Sequence, residues 1–186
     1  MNFIPSHIEI AHFAFKKVLN KNDVVIDATL GNGYDTLYLL ENFHPQKLYC
    51  FDIQNQALEN TKSLLKKNRV NATSIEYIQD CHSKLDTYVK MPASLIVYNL
   101  GYLPSGNKSL TTKTGTTLKS LKKALELIKP GGLISVTCYP GHAEGKKELN
   151  EITSMTKNLD PNIFFTYFYR SLLENAPCLV LISKKV

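Results

Sequence analysis

A chain of 186 residues fits one domain of ordinary size, long enough to bury an α/β core without disulfide staples. Its 22 Lys and Arg against 16 Asp and Glu give a formal charge of +6, which suits either a polyanionic partner or a solvated basic surface. No run of about 18 apolar residues marks a membrane span and no basic-then-apolar leader marks secretion, so a cytoplasmic location is expected. Cys50, Cys81, Cys138 and Cys178 are widely spaced with no Cys-x-x-Cys pair. They read as small buried hydrophobes rather than as zinc ligands or disulfides, and no catalytic metal is expected.

In chain order, Ile4, Ile8, Ala11, Phe15 and Val18 or Leu19 fall on one face of a helix over 4–19, with Ser6 a candidate cap. A strand over 24–28 leads through a glycine turn into a helix over 34–42. A second strand, 47–52, is followed by a helix over 55–67 with Leu58, Thr61 and Leu65 on one face. The alternating segment 74–79 is a third strand ending at Asp80-Cys81-His82, and a short helical piece follows over 83–89. Residues 93–98 are continuously apolar, as buried parallel strands are. The polar stretch 101–116 is long for a connection and is therefore expected to be functional or mobile. Thr117 is a candidate cap for a helix with Leu118, Leu121, Leu125 and Ile128 inward, stopped by Pro130-Gly131-Gly132. Strand 133–139, helix 144–158 and strands 163–170 and 178–183 complete the chain. This alternation predicts an α/β fold, a doubly wound and mostly parallel seven-stranded sheet with an antiparallel strand near the C-terminus.

The most informative segment is Asp27-Ala28-Thr29-Leu30-Gly31-Asn32-Gly33, directly after the first strand, paired with Asp52 at the tip of the second. A strand, a glycine turn, a helix and a second strand tipped by a carboxylate is how an α/β sheet holds an adenosine. The dinucleotide fingerprint requires a third glycine where this chain has Thr36, which weakens a nicotinamide dehydrogenase. The acid four residues before Gly31 repels a pyrophosphate but suits a cationic amino-acid group, as in S-adenosylmethionine. On this reading Gly31 and Gly33 admit the cofactor, Asp27 faces its ammonium directly or through water, and Asp52 accepts from the ribose hydroxyls. Two basic stretches, Lys62 to Arg69 and Lys108 to Lys123, could meet a polyanion. His82 and His142 fall at the carboxyl edge of the sheet, where either could act as a base or hydrogen-bond a substrate, whereas His7, His12 and His44 lack ligand-like spacing.

The order from Asp27 through Asp52 to Asp80 resembles the Rossmann-like class I methyltransferase fold over nearly the whole chain. Asn99-Leu100-Gly101-Tyr102 resembles a variant of the Asn/Asp-Pro-Pro-Tyr motif of methyltransferases acting on exocyclic amines, with Leu-Gly in place of Pro-Pro. The longer series Asn99 to Pro104, Thr111-Thr112-Lys113, Lys129 to Gly132 and Tyr139-Pro140-Gly141-His142 resembles small bacterial proteins described as rRNA methylases. A branch of that family methylates the 5-aminomethyl group of wobble 2-thiouridine in tRNA. The resemblance implies cofactor contacts from Thr29, Asn32, Gln54, Asp80, Cys81 and Asn99, in addition to those above. It implies catalytic roles for Asn99 and Tyr102, with His82 and His142 beside them, and substrate contacts from Tyr102, Lys108, Lys113, Lys119 and Tyr139. The implied partner is the tRNA anticodon stem-loop, and a homodimer is compatible with the reading. An rRNA or small-molecule amine acceptor, and a non-catalytic RNA-binding module, are the alternatives.

Overall fold

The computed structural model, described over residues 4–104 and 110–186, is one seven-stranded sheet between two layers of helices. The chain runs α1 (His7–Val18), β1 (Val24–Asp27), α2 (Tyr34–Phe43), β2 (Lys47–Phe51), α3 (Asn55–Lys67), β3 (Ile75–Ile78), a 3-10 turn (His82–Lys84), α4 (Leu85–Tyr88) and β4 (Ala93–Asn99). It continues through α5 (Thr114–Leu127), β5 (Ile128–Cys138), α6 (Ala143–Lys157), β6 (Phe164–Arg170) and β7 (Cys178–Lys184). The strand order is β3-β2-β1-β4-β5-β7-β6. β7 runs antiparallel to both its neighbours, and the other pairings are parallel. The expected architecture is therefore present, and its antiparallel strand is β7.

Alternation along the strands sorts the core into two faces. Val24, Ile26, Phe51, Ile96, Tyr98, Ile134 and Val136 pack under α4, α5 and α6 through Leu85, Leu121, Ala124 and Ile152. Val25, Leu48, Cys50, Leu95, Val97 and Leu179 pack under α1, α2 and α3 through Ala11, Phe15, Leu39, Leu40, Leu58 and Leu65. Helix α1 starts at a reciprocal cap in which Ser6 Oγ accepts from Glu9 N while the Glu9 carboxylate accepts from Ser6 N. Cys50, Cys138 and Cys178 are buried free thiols and Cys81 is half-buried. Among the described residues no helix is long and apolar enough to cross a membrane, and no group of His, Cys, Asp and Glu is placed to hold a metal ion.

Both expected ends of α5 are wrong: it stops at Leu127, and Ile128 opens β5 by pairing with Ala93, so Pro130-Gly131-Gly132 lie within the strand instead of ending the helix. Thr117 does not cap α5; it lies a turn inside the helix, buried, and its Oγ1 donates to Glu148 Oε1 at 2.5 Å. The helix starts earlier because Thr114 N and Oγ1 both donate to Glu144 Oε1 of α6, at 2.8 and 2.9 Å. A carboxylate from a neighbouring helix thus satisfies the first turn, and no local cap is needed.

Gly33, which caps α2, has φ +81°, and a Cβ there falls 2.5 Å from Thr61 Oγ1 and 2.6 Å from Thr61 Cγ2 on α3. Left-handed backbone and overpacking act together, so Gly33→Ala is expected to cost about 3 kcal/mol. For a domain of this size that lowers Tm by roughly 6–12 °C, measurable by calorimetric unfolding.

Candidate active site

The carboxyl ends of β1 to β5 open into a cavity of about 1030 Å³, at the upper end of ligand-site sizes. Thr29, Gly31, Asn32, Gly33, Asp52, Gln54, Asp80, Cys81, His82, Asn99, Tyr102, Lys113, Tyr139 and His142 all line it. Asp27 and Lys119 do not line it, and Lys108 lies outside the described residues.

The β1 turn is held by its two acids. Asp27 is buried, with Oδ2 accepting from Thr36 Oγ1 at 2.7 Å and Oδ1 from Thr29 N at 3.2 Å. The carboxylate expected to face a cationic ligand directly or through water is buried beneath the turn, hydrogen-bonded to the very residue that replaces the third fingerprint glycine. Burial first, and the charge of Asp35 second, push its pKa up to about 7. Asp52 takes Gly31 N on one oxygen at 3.0 Å and Gln54 N on the other at 2.9 Å. Each oxygen keeps acceptor capacity toward the cavity. Burial raises its pKa while these backbone donors oppose the rise. Gly31 has φ +53°, and a Cβ there meets nothing nearer than 3.8 Å, so its open side faces cavity rather than protein. Asn32 Oδ1 accepts from Asn60 Nδ2 at 2.8 Å, fastening the turn to α3. Asp80 accepts from Cys81 N, Lys84 Nζ and Tyr88 OH, and the lysine holds its carboxyl below the ordinary range.

Asn99 ends β4. Its backbone N–H donates to Thr29 Oγ1 at 2.6 Å, and its Nδ2 donates to Asp35 Oδ2. A carboxylate only accepts, so the pairing assigns the amide unambiguously and leaves Oδ1 as the acceptor that Asn99 can offer a ligand. After Asn99 the chain is pinned by Gly101 N donating to Thr112 Oγ1 and Thr112 Oγ1 donating to Glu148 Oε2, at 2.9 and 2.8 Å. An isolated antiparallel bridge joins Tyr102 to Thr111. Tyr102 is 41% exposed at the rim, 6.1 Å from the His142 ring, and Tyr139 stands edge-on to His7.

Neither expected histidine base has the chemistry for it. His82 is buried edge-on to Tyr98, and burial pushes its pKa down to about 4, so it stays neutral and gives up any proton it receives near pH 7. His142 caps α6: its Nδ1 accepts from Gly145 N at 3.1 Å. That bond places the proton of the neutral ring on Nε2, and a second proton breaks the cap.

The structure also brings in residues the sequence did not mark. Asp35 in the first turn of α2 and His12 on α1 line the cavity beside Ile8, Ala11 and Phe15, so the N-terminal helix is one wall of the site. Glu148, buried on the inward face of α6, anchors the polar stretch after β4. Its spacing of four from buried Ile152 was the available signal for an inward acid. Asp35 gave no such signal, because acids are ordinary in a first helical turn.

Comparison with known proteins bears on the same residues. Residues 48–183 match the family described as "Putative rRNA methylase". Over 95% of this chain and 69% of the relative, it is 38% identical to the Arabidopsis thaliana protein named tRNA (mnm(5)s(2)U34)-methyltransferase, chloroplastic. Among solved structures, a Clostridium thermocellum protein with the family's description superposes with a TM-score of 0.93 at 33% identity, covering 98% of this chain and 100% of that one. SMU.1697c from Streptococcus mutans, crystallised in complex with SAH, gives 0.88 at 36% identity over 98% and 99%.

The raised pKa of Asp27 sets a pH dependence of stability. Between the ordinary value of 3.8 and about 7 the folded state keeps a proton that the unfolded chain has released. Stability therefore falls as pH rises through that window, and the loss is complete above it. Asp27→Asn is expected to flatten the slope by up to about 1.4 kcal/mol per pH unit, read from urea unfolding at pH 5, 6, 7 and 8.

Proposed function

The chain belongs to the rRNA methylase family, and from that premise we propose that it methylates the 5-aminomethyl group of wobble 2-thiouridine in tRNA, giving 5-methylaminomethyl-2-thiouridine. The observation that carries the reading is Asn99, whose amide is oriented by Asp35 to offer Oδ1 as an acceptor at the end of β4. An amine that donates to Oδ1 has its lone pair turned in a fixed direction, which is the requirement for attack on a methyl group. The Arabidopsis relative carries this substrate in its name, and the proposal adopts it for this chain.

S-adenosylmethionine, when bound, supplies a methyl group made electrophilic by its sulfonium. The residues present fit it: Gly31 leaves the turn open toward the cavity, and Asp52 stands at the β2 tip with acceptor capacity for two hydroxyls. Asp80, Gln54 and Cys81 supply the adjoining wall. Tyr102 and Tyr139 offer ring faces and edges against which a base can stack. Lys113 at the rim and exposed Lys119, about 9 Å farther along α5, are assigned to the phosphates of the anticodon stem-loop. Lys123 is withdrawn from that surface, since its Nζ donates to the Asp86 carboxylate and to Ser83 O. One chain carries the whole proposed site, so it does not depend on a homodimer. The proposal keeps the cytoplasmic location expected above, where the Arabidopsis relative is by its name chloroplastic.

Hypomodified tRNA carrying the free 5-aminomethyl group tests the reading, with nucleoside mass spectrometry of the product. Appearance of the methylaminomethyl nucleoside supports it. Methylation of rRNA instead, the acceptor named in the family's description, overturns it. In the same assay under saturating cofactor, Asn99→Ala is expected to lose about 100-fold in single-turnover rate while tRNA affinity changes only a few-fold, because the interaction strengthens as nitrogen gains charge.

A further inference from the structure

An alkyl amine is an ammonium at neutral pH, as a lysine side chain is, and it has no lone pair until a proton leaves. His82 and His142 are unsuited to take that proton for the reasons given above. A different pair in the cavity is placed to do so. Asp35 Oδ2 holds the Asn99 amide, and Asp35 Oδ1 lies 3.5 Å from His12 Nε2. His12 is fixed in that position by face-to-face stacking on Tyr38, with ring centroids 3.5 Å apart and planes within 6°. Three elements, α1, α2 and β4, thus meet in a chain running from His12 through Asp35 to Asn99.

We propose that Asp35 and His12 are the proton-accepting pair of this site, Asp35 taking a proton from the amine that Asn99 orients and His12 carrying it outward. The inference rests on the reading of the acceptor as an amine. An N–H bond of the ammonium breaks, its electron pair stays on nitrogen, and the proton moves to the Asp35 carboxylate. His12 Nε2 then takes the proton, and its half-buried ring, 23% exposed, sheds it to water. The pair left on nitrogen is then free to form the N–C bond, for which the bound cofactor's methyl–sulfur bond would break with its electron pair passing to sulfur.

The surroundings favour this direction of transfer. The charge of Asp35 raises the cost of ionising Asp27 at the end of β1, and Asp52 adds to it from β2. Protonating Asp35 relieves that repulsion. Tyr139, after β5, faces Asp35 as well, and burial together with that charge keeps its hydroxyl protonated. Asn99 from β4 is neutral, and the His12 ring, with Nε2 at 3.5 Å, is the basic group facing Asp35 among the described residues. The same negative cluster attracts a cationic amine into the cavity. Desolvation there lowers the amine's pKa, which eases loss of its proton.

The test measures single-turnover methyl transfer to aminomethyl tRNA between pH 6 and 9.5, and S-adenosylhomocysteine binding by calorimetry, for wild type, Asp35→Asn and His12→Gln. The expected result for Asp35→Asn is a loss of about 100-fold at pH 7, recovered about tenfold per pH unit as hydroxide frees the amine, with the S-adenosylhomocysteine Kd within threefold of wild type. His12→Gln is expected to lose about tenfold and to regain rate with added imidazole. If Asp35→Asn does not fold, the imidazole rescue of His12→Gln decides, and its absence overturns the proposal. A wild-type rate and pH profile in Asp35→Asn also overturn it. So does a Kd raised tenfold or more with an unchanged rate at saturating cofactor, which makes Asp35 an anchor for the cofactor. Wild-type protein inert on the amine overturns the substrate reading and this inference with it; active wild type beside an unaffected variant overturns this inference alone.

Discussion

The hydrogen bond from Thr36 Oγ1 to Asp27 Oδ2 is a 2.7 Å link, fully buried, between the last residue of β1 and the first turn of α2. A carboxylate taken out of water destabilises the fold unless donors meet it. That need draws α2 down onto the strand and folds residues 28–33 into the turn between them. Gly33 must then pass within a side chain's width of Thr61, and Gly31 must take a left-handed conformation with its N–H on Asp52. The turn, the start of α2 and the tip of β2 are therefore one constrained unit.

That unit decides where Asp35 lies, since Asp35 precedes Thr36 on the same helical turn. Its carboxylate reaches β4 and sets the orientation of the Asn99 amide. A polar group buried for structural reasons at position 27 thus fixes, two bonds away, the direction of a hydrogen-bond acceptor in the cavity. The cost is carboxylates held out of water, seen in the upward pKa shifts that burial gives Asp27 and Asp52, with the charge of Asp35 adding to that of Asp27. Toward a sulfonium cofactor and the protonated amine proposed as its acceptor, such a field is complementary.

Most of the fold was legible because strands and helices here follow their elementary periods. Helix α3 falls on the expected residues, and β4 reads as the mostly apolar run, broken by Ser94, that suits a central parallel strand. The start of α5 was not legible, since its first donors go to Glu144, thirty residues on, and no local pattern encodes that. The strand-tip residues of the site were readable from motif order. The contribution of α1 was not: Ile8, Ala11 and Phe15 are spaced like any core-facing stripe, and His12 among them carries no mark of a role. Its position becomes meaningful only where α1 crosses over the sheet beside α2. The reversed role of Asp27 was hidden for the same reason, because its donor, Thr36, was read for the glycine it replaces.

The insertion of β7 between β5 and β6 bears on how the protein is made. On the ribosome the chain emerges from its N-terminal side at about 5–20 residues per second, so β6 leaves the exit tunnel before its sole sheet neighbour exists. Its run of Phe164, Phe165, Tyr167, Phe168 and Tyr169 is a hydrophobic strand with both backbone edges open, and β5 waits with one edge open beside it. Arrival of β7 closes the open edge of β5 and one edge of β6, whose other edge stays the rim of the sheet. During that interval the nascent chain displays a segment fit for pairing with neighbouring nascent chains, and the interval ends when β7 reaches it.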